Sequence, residues 1–178
     1  MKLAAVAFAF AVAVAVPTVL GLAATPARAD DDLPTDTPAT RAGEAWLKAM
    51  LAPGGSVAAP SKDRPLDYLV DNGQKSCKAL RSGTAKDFKA LAKLKKCVTD
   101  SYKAIGEVGV VQWFQLPSAA TVQAVFPPKL GKRIKALAQG ATIVEGRHTG
   151  DGLDMDVYLA LDADSHVRAI FLTEEGFE

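Results

Sequence analysis

The feature that most limits the fold of this chain is a nine-residue alternation near its carboxyl end. Apolar side chains occupy every second position there, at Leu153, Met155, Val157, Leu159 and Leu161. Successive side chains of a β-strand point to opposite faces, so a period of two predicts a strand with one face in a hydrophobic core. Apolar segments at 142–148 and 167–173 flank it across short links rich in Gly and Asp. Because such links join neighbouring strands, the three segments predict an antiparallel meander.

Helical patterns come before these strands. Thr37 can cap a helix that begins at Pro38. Apolar residues repeat at helical spacing along this helix until Pro53. A longer helix is predicted from Thr84, which forms a capping-box pattern with Asp87, to residue 105. Other segments predict a strand at 107–116, short helices at 118–126 and 130–138, and a strand or a helix at 66–70. The predicted fold class is α+β, with N-terminal amphipathic helices packed on a curved antiparallel sheet that ends in the meander.

Residues 1–29 have the pattern of a secretory signal peptide. Lys2 begins it, residues 3–16 are almost entirely apolar, and residues 27–29 form a small-x-small cleavage site. Residues 30–36 are acidic and rich in Pro and Thr, which predicts a disordered linker to a single domain at 37–178. The apolar segment is short and rich in Ala, so no stable membrane anchor is expected. We therefore expect export, either to a periplasm or to the extracellular space.

The balance of charge excludes two classes of partner. Without residues 1–29 the chain has 19 basic and 20 acidic residues, a formal charge of −1. Such a chain has no general affinity for nucleic acid or for an anionic membrane. The predicted long helix nevertheless carries lysines at its polar positions, Lys86, Lys89, Lys93, Lys95, Lys96 and Lys103. We interpret them as a solvated helix surface, with contact to an acidic partner as the alternative.

Cys77 and Cys97 are the only cysteines of the chain. An even number of cysteines in an exported protein predicts a disulfide between them. A helix from Thr84 to Cys97 would rise about 20 Å, so a bridge requires residues 77–83 to run back nearly fully extended, or the helix to begin later. In this interpretation a bridge excludes a helix from Cys77 to Arg81. The alternative is a pair of reduced, buried cysteines.

The two histidines do not predict a metal site. His148 and His166 lie at opposite ends of the predicted middle strand, about 26 Å apart, and cannot share an ion. We therefore expect both to be exposed turn residues. Asp162, Asp164 and Ser165 resemble the start of a calcium loop, but the glycine and the distal glutamate of such a loop are missing. They are interpreted as a hairpin turn, and neither a metal nor a cofactor is expected.

A candidate site lies on the second face of the predicted meander. If His148 pairs with Leu153 and Leu161 with Val167, that face brings acidic and apolar side chains together. The pocket residues predicted in this way are Glu145, Asp156, Tyr158, Ile170 and Leu172. Burial among apolar neighbours would raise the pKa of Asp156, so that it could act as a general base. Tyr158 would then donate a hydrogen bond to a developing oxyanion. The alternative is an acidic stripe exposed to water.

The order of elements resembles the cone-shaped cystatin-like fold, in particular the nuclear-transport-factor-two-like superfamily. The resemblance covers roughly residues 37–178 and is architectural. It consists of a first helix around Trp46 and a terminal hairpin at 161–167 that is similar to the Asp-rich turns of that superfamily. The resemblance implies an interior between sheet and helices that can hold a small apolar ligand. Members include isomerases, dehydratases and non-enzymatic binding or accessory domains, and no active residue carries over to this chain.

Two functions are compatible with these patterns. The first, which we favour, is an exported, non-catalytic accessory domain that binds a small apolar ligand or a protein partner. The second is a small cone-fold enzyme, an isomerase, dehydratase or hydrolase, with a carboxylate base in the cavity between sheet and helices. A closed apolar pocket around Asp156 and Tyr158 would favour the enzyme, and a filled core behind that sheet face would favour the binding domain.

Overall fold

A computed structural model of the chain describes residues 34–106, 110–150 and 153–176. The predicted signal peptide and the start of the linker lie outside these ranges. The helices are α1 (Pro38–Leu51), α2 (Phe88–Ala104), α3 (Ala119–Val125) and α4 (Gly131–Ala138), with 3-10 helices at Lys75–Leu80 and Pro128–Leu130. The strands are β1 (Leu66–Asp71), β2 (Ser82–Ala85), β3 (Val110–Leu116), β4 (Thr142–Thr149), β5 (Leu153–Leu161) and β6 (Val167–Gly176). Within the described ranges, no helix combines the length and the apolar character that crossing a membrane requires.

The six strands form one sheet in the order β2-β1-β6-β5-β4-β3. β4, β5 and β6 pair antiparallel in chain order, and β3 pairs with the outer side of β4. β1 pairs parallel with β6, so the sheet is mixed. The expectation of a purely antiparallel sheet is therefore wrong. A parallel pair needs a long crossover, which the chain between Asp71 and Val167 supplies. The predicted α+β class is confirmed.

Hydrogen bonds fix both ends of α1. The Thr37 hydroxyl accepts from the N–H of Thr40 at 3.1 Å, and the Thr40 hydroxyl accepts from the N–H of Thr37 at 2.8 Å. Pro38 takes the first helical position, where it loses no hydrogen bond. After the helix ends, the ammonium of Lys95 donates to two carbonyl oxygens, that of Gly55 at 2.8 Å among them. α1 is therefore tied to α2 at the point where it ends.

α2 begins at Phe88, later than the capping pattern predicted. Asp87 caps it by accepting from the N–H of Ala90 at 2.8 Å. Thr84 instead belongs to β2 and pairs with Asp67 of β1, to which its hydroxyl donates. The prediction of a helix start at Thr84 is wrong because pairing with β1 satisfies the backbone of this segment.

The predicted disulfide between Cys77 and Cys97 is confirmed. It joins the 3-10 helix Lys75–Leu80 to the middle of α2, with the two Cα atoms 4.9 Å apart and both side chains buried. The expectation that a bridge excludes a helix in this segment is wrong. Because α2 begins at Phe88, it rises only about 14 Å before Cys97, and the short strand β2 returns the chain over that distance.

Helices cover both faces of the sheet and create two hydrophobic cores. α1 and α2 pack on the face that carries Val157 and Leu172, which we call the α1/α2 face. α3 and α4 pack through Val122 and Ile134 on the opposite face, the α3/α4 face. On the sheet, this second core includes Leu69, Phe114, Ile143, Tyr158, Ala160 and Phe171. The side chains of β5 therefore divide between two cores.

Candidate functional site

The pairing of β4, β5 and β6 decides which of the predicted pocket residues meet. The β4–β5 register differs from the prediction by two residues, since His148 pairs with Met155. A shift of two residues keeps each side chain on its face of the sheet. Glu145 therefore shares the α3/α4 face with Tyr158, its direct partner, and with Asp156.

Ile170 and Leu172 are placed elsewhere. A β-bulge beside Leu161 changes the register of β6, and Tyr158 pairs with Phe171. An extra residue in one strand moves the later side chains to the opposite face. Ile170 and Leu172 consequently lie in the core of the α1/α2 face, and the register that placed them beside the carboxylates is wrong.

Four side chains form what we call the polar strip on the α3/α4 face: Glu145, Arg147, Asp156 and Tyr158. Arg147 stands opposite Asp156 in the β4–β5 pair, donates to Glu145 at 3.1 Å and lies over the ring of Phe114 at 4.3 Å. The Tyr158 hydroxyl donates to Asp156 Oδ2 at 3.4 Å. Only 2% of Glu145, 3% of Asp156 and 1% of Tyr158 is exposed. The polar strip is therefore a buried network.

The guanidinium of Arg147 holds this network together electrostatically. Burial acts to lower the pKa of Arg147, but the hydrogen bond and charge of Glu145, followed by the charge of Asp156, outweigh burial and raise it. Asp156 consequently has a permanent cation beside it. A guanidinium beside two buried carboxylates forms a structural ion network.

The ring of Tyr158 packs inside the core of the α3/α4 face. Its strand neighbour Phe171 meets Phe126 edge to face, with ring centroids 6.4 Å apart. Four cavities in the described part of the chain, with volumes of about 270, 360, 400 and 530 Å³, are lined by residues other than Asp156 and Tyr158. The Tyr158 ring itself is buried among the other side chains of this core.

His148 is buried, contrary to the expectation of an exposed turn residue. It lies in β4 on the α1/α2 face with 4% of its surface exposed. The Tyr102 hydroxyl is 2.7 Å from His148 Nε2, and the ring of Trp113 meets the imidazole edge to face. Burial raises the pKa of Tyr102 and lowers the pKa of His148 to about 4, so both are neutral at pH 7. His166 is exposed at the β5–β6 turn.

The burial of His148 predicts a loss of stability in acid. Its pKa is about 4 in the folded protein against 6.5 for the free side chain. The unfolded state therefore binds the proton first, and the contribution to folding is complete above pH 6.5 and is lost as the pH falls towards 4. We expect this residue to lower the free energy of unfolding by about 2 kcal/mol between about pH 7 and pH 5.

Urea unfolding of the wild type and of His148→Phe at these two pH values measures the effect. The variant should lose about 2 kcal/mol less than the wild type over this range. His166→Phe, at the exposed turn, should behave as the wild type. An equal pH dependence of the wild type and His148→Phe would contradict the expectation.

Asp162, Asp164 and His166 bring three potential metal ligands within 4.8 Å of one another. The Asp162 Oδ1 atom already accepts the backbone N–H groups of Asp164 and His166, at 3.0 and 2.9 Å. The hydrogen bond from His166 contributes most to lowering the pKa of Asp162. The Asp162 carboxylate therefore stabilises the β5–β6 turn.

The strongest charge feature of the surface lies on α2 and on the 3-10 helix bonded to it. Residues 75–103 contain nine Lys or Arg and two Asp, a net charge of +7, whereas the whole chain carries +1. Seven exposed lysines of this segment form what we call the lysine face: Lys75, Lys78, Lys86, Lys89, Lys93, Lys96 and Lys103. The sequence revealed the lysines of the helix, and the disulfide shows that Lys75 and Lys78 lie on a segment held against it.

The lysine face follows α2 for most of its length, about 21 Å. Lys75, Asp100 and Lys103 line the same surface pocket. The 3-10 helix that carries Lys75 therefore extends the basic surface of α2. Asp100 accepts from Lys96 at 2.7 Å, and this hydrogen bond lowers the pKa of Asp100. Asp100 and the capping Asp87 do not neutralise seven ammonium groups, so the surface has a strongly positive potential.

Comparisons of the chain with protein-family models, with curated proteins and with solved structures find no match. No residue role is therefore transferred from a relative. Function is inferred from the lysine face and the polar strip themselves.

Proposed function

We propose that the chain is an exported, non-catalytic domain that binds an acidic protein partner through the lysine face. The observation that carries this proposal is the separation of charge, since residues 75–103 carry +7 and the rest of the chain −6. A protein does not need separated charges to be soluble, because a surface on which positive and negative charges are mixed is sufficient. Charge of one sign concentrated on one surface attracts and orients an oppositely charged partner.

The shape of the lysine face supports an extended acidic segment as the partner. A segment of about six residues spans the 21 Å or so of α2 that the lysines follow. The disulfide between Cys77 and Cys97 fixes the 3-10 helix against α2, so the lysine-bearing backbone segments keep their spacing without a partner. A preformed surface loses less conformational entropy when it binds.

The predicted export and the resemblance to cone-shaped folds support this role. Residues 1–29 have a signal-peptide pattern, and disulfides such as Cys77–Cys97 persist in periplasmic and extracellular compartments. The cystatin-like folds that the chain resembles include non-enzymatic binding and accessory domains.

The catalytic alternative and the small apolar ligand have less support. Catalysis needs Asp156 to accept a proton, but Arg147 stands directly opposite it and stabilises its charge. A ligand between the sheet and α3 or α4 would have to displace Tyr158, Phe171 and their packed neighbours. Neither requirement applies to binding at the lysine face.

The proposal predicts binding of an acidic peptide that depends on Lys89 and Lys93. The probe is a fluorescein-labelled polyglutamate peptide, whose affinity is measured by fluorescence anisotropy. Replacing both lysines by glutamate should weaken binding at least about tenfold at low ionic strength. Raising the ionic strength to about 0.5 M should also weaken wild-type binding, because salt screens exposed charges.

A double variant of α4, Lys132→Glu with Lys135→Glu, is the matched control. It makes the same change of charge at two exposed positions in the other helical layer. It should retain nearly all of the wild-type affinity. Equal losses in the two double variants would mean that only net charge matters and would contradict docking on the lysine face.

A further inference from the structure

The most exposed large apolar side chain among the described residues adjoins the lysine face. Phe88, the first residue of α2, is 73% exposed, and Val111 on β3 follows at 45%. Asp87 precedes Phe88 and Lys89 follows it, so the ring stands in a charged, solvated segment. Neither the cap nor the core requires an aromatic ring at this position. An exposed ring of this kind contributes to binding when a partner covers it.

Phe88 lines a groove of about 360 Å³ between the end of α1 and the start of α2. The groove has apolar, buried residues at its base, since Met50 is 0% and Leu91 5% exposed. Val57 and Lys95 also line it. The ammonium of Lys95 is held by two carbonyl oxygens of the segment that follows α1, which ties the two sides together. The groove is therefore formed before any partner binds.

We infer that this groove receives one bulky apolar side chain of the acidic partner. The inference rests on the proposed function. It specifies the partner as an acidic peptide segment that contains an aromatic or branched aliphatic residue. Lys89 and Lys93 follow Phe88 on α2, at the next residue and one turn later, where they can pair with carboxylates next to the apolar residue. Charge attracts the segment, and the apolar contact fixes its position.

The concave shape favours a peptide over an anionic membrane. A membrane-binding surface presents several apolar side chains that enter the lipid together. Among the described residues that line the groove, Phe88 is the one large apolar side chain that is mostly exposed, and Met50 and Leu91 are buried beneath the surface. One exposed ring beside a recess therefore favours a side chain of a peptide over insertion into lipid.

The test compares the polyglutamate peptide with the same peptide carrying one central phenylalanine. The wild type should bind the phenylalanine-containing peptide about tenfold more tightly. Phe88→Ala should lose this difference while it keeps the salt-dependent binding of polyglutamate. Val111→Ala is the matched control, because it shortens the other large apolar side chain that is exposed in the described ranges, and it should keep the difference.

Four other outcomes would overturn the inference. Equal wild-type affinity for the two peptides, or an undiminished difference in Phe88→Ala, would overturn it and leave the proposed function standing. Failure of both peptides to bind would overturn the proposed function and the inference with it. Phe88-dependent binding to phosphatidylglycerol vesicles, without binding of either peptide, would overturn the inference in favour of a membrane surface.

Discussion

Replacing Arg147 by methionine is expected to lower the free energy of unfolding by about 3–5 kcal/mol. Methionine fills part of the volume of the arginine but removes its charge. Glu145 and Asp156, of which 2% and 3% are exposed, would then remain buried without the guanidinium beside them. The loss of one partner from a buried charge network is costly because the remaining charges are removed from water and uncompensated.

Urea unfolding near pH 7 measures this effect. Arg41→Met is the matched control, since Arg41 pairs with Asp36 where the two side chains are 59% and 81% exposed. An exposed pair of this kind contributes little to stability, so the control should resemble the wild type. Arg147→Lys should recover only part of the loss, because lysine lacks the planar guanidinium that donates to Glu145 in this structure. Equal stability of Arg147→Met and the control would contradict the buried network.

Replacing both Cys77 and Cys97 by alanine is expected to lower the free energy of unfolding by about 3 kcal/mol. The bridge joins residues 20 positions apart and thereby restricts the unfolded chain. It also holds the 3-10 helix Lys75–Leu80 in place, and with it Lys75 and Lys78 of the lysine face. The variant should therefore bind the polyglutamate peptide more weakly as well.

Urea unfolding with and without dithiothreitol provides the measurement and its control. Reductant should bring the wild type close to the stability of the double alanine variant, and it should leave the variant unchanged. A thiol titration of the denatured, unreduced protein should find no reactive thiol. Wild-type stability that does not respond to reductant, together with two reactive thiols, would contradict the disulfide.

Patterns that act over a few residues predicted part of this fold. The period of two located β5 because alternating side chains are a property of the strand itself. It did not reveal that both faces of β5 are buried, because that depends on α3 and α4 packing over Asp156 and its neighbours from a distant part of the chain. The prediction of where α2 begins was wrong for a related reason. Thr84 and Asp87 can both cap a helix, and the pairing of β2 with β1 leaves Asp87 as the cap.

The positions of Ile170 and Leu172 could not be predicted from the strand pattern. The β-bulge that reverses their faces lies next to Arg168, whose guanidinium donates to the carbonyl of Leu137 in α4 at 2.8 Å. This contact joins residues 31 positions apart and leaves no local pattern. The parallel pairing of β1 with β6 connects still more distant segments and is hidden for the same reason.

One residue carried a signal for the burial of His148. Gly146 lies in the middle of β4, and a Cβ atom there would stand 2.9 Å from the ring of Trp113. A glycine inside a strand indicates close approach of a neighbouring group. It was therefore a local indication that a large side chain packs against this part of β4, where His148 contacts Trp113 and Tyr102.

The central claim is that an acidic segment docks along α2 and inserts an apolar side chain beside Phe88. The most direct measurement is a titration of the ¹⁵N-labelled protein with the phenylalanine-containing polyglutamate peptide, followed by amide chemical shifts. We predict that the largest changes fall on residues 86–103 and 54–57. Largest changes at Glu145, Asp156 and Tyr158 would contradict the claim and place the binding site at the polar strip instead.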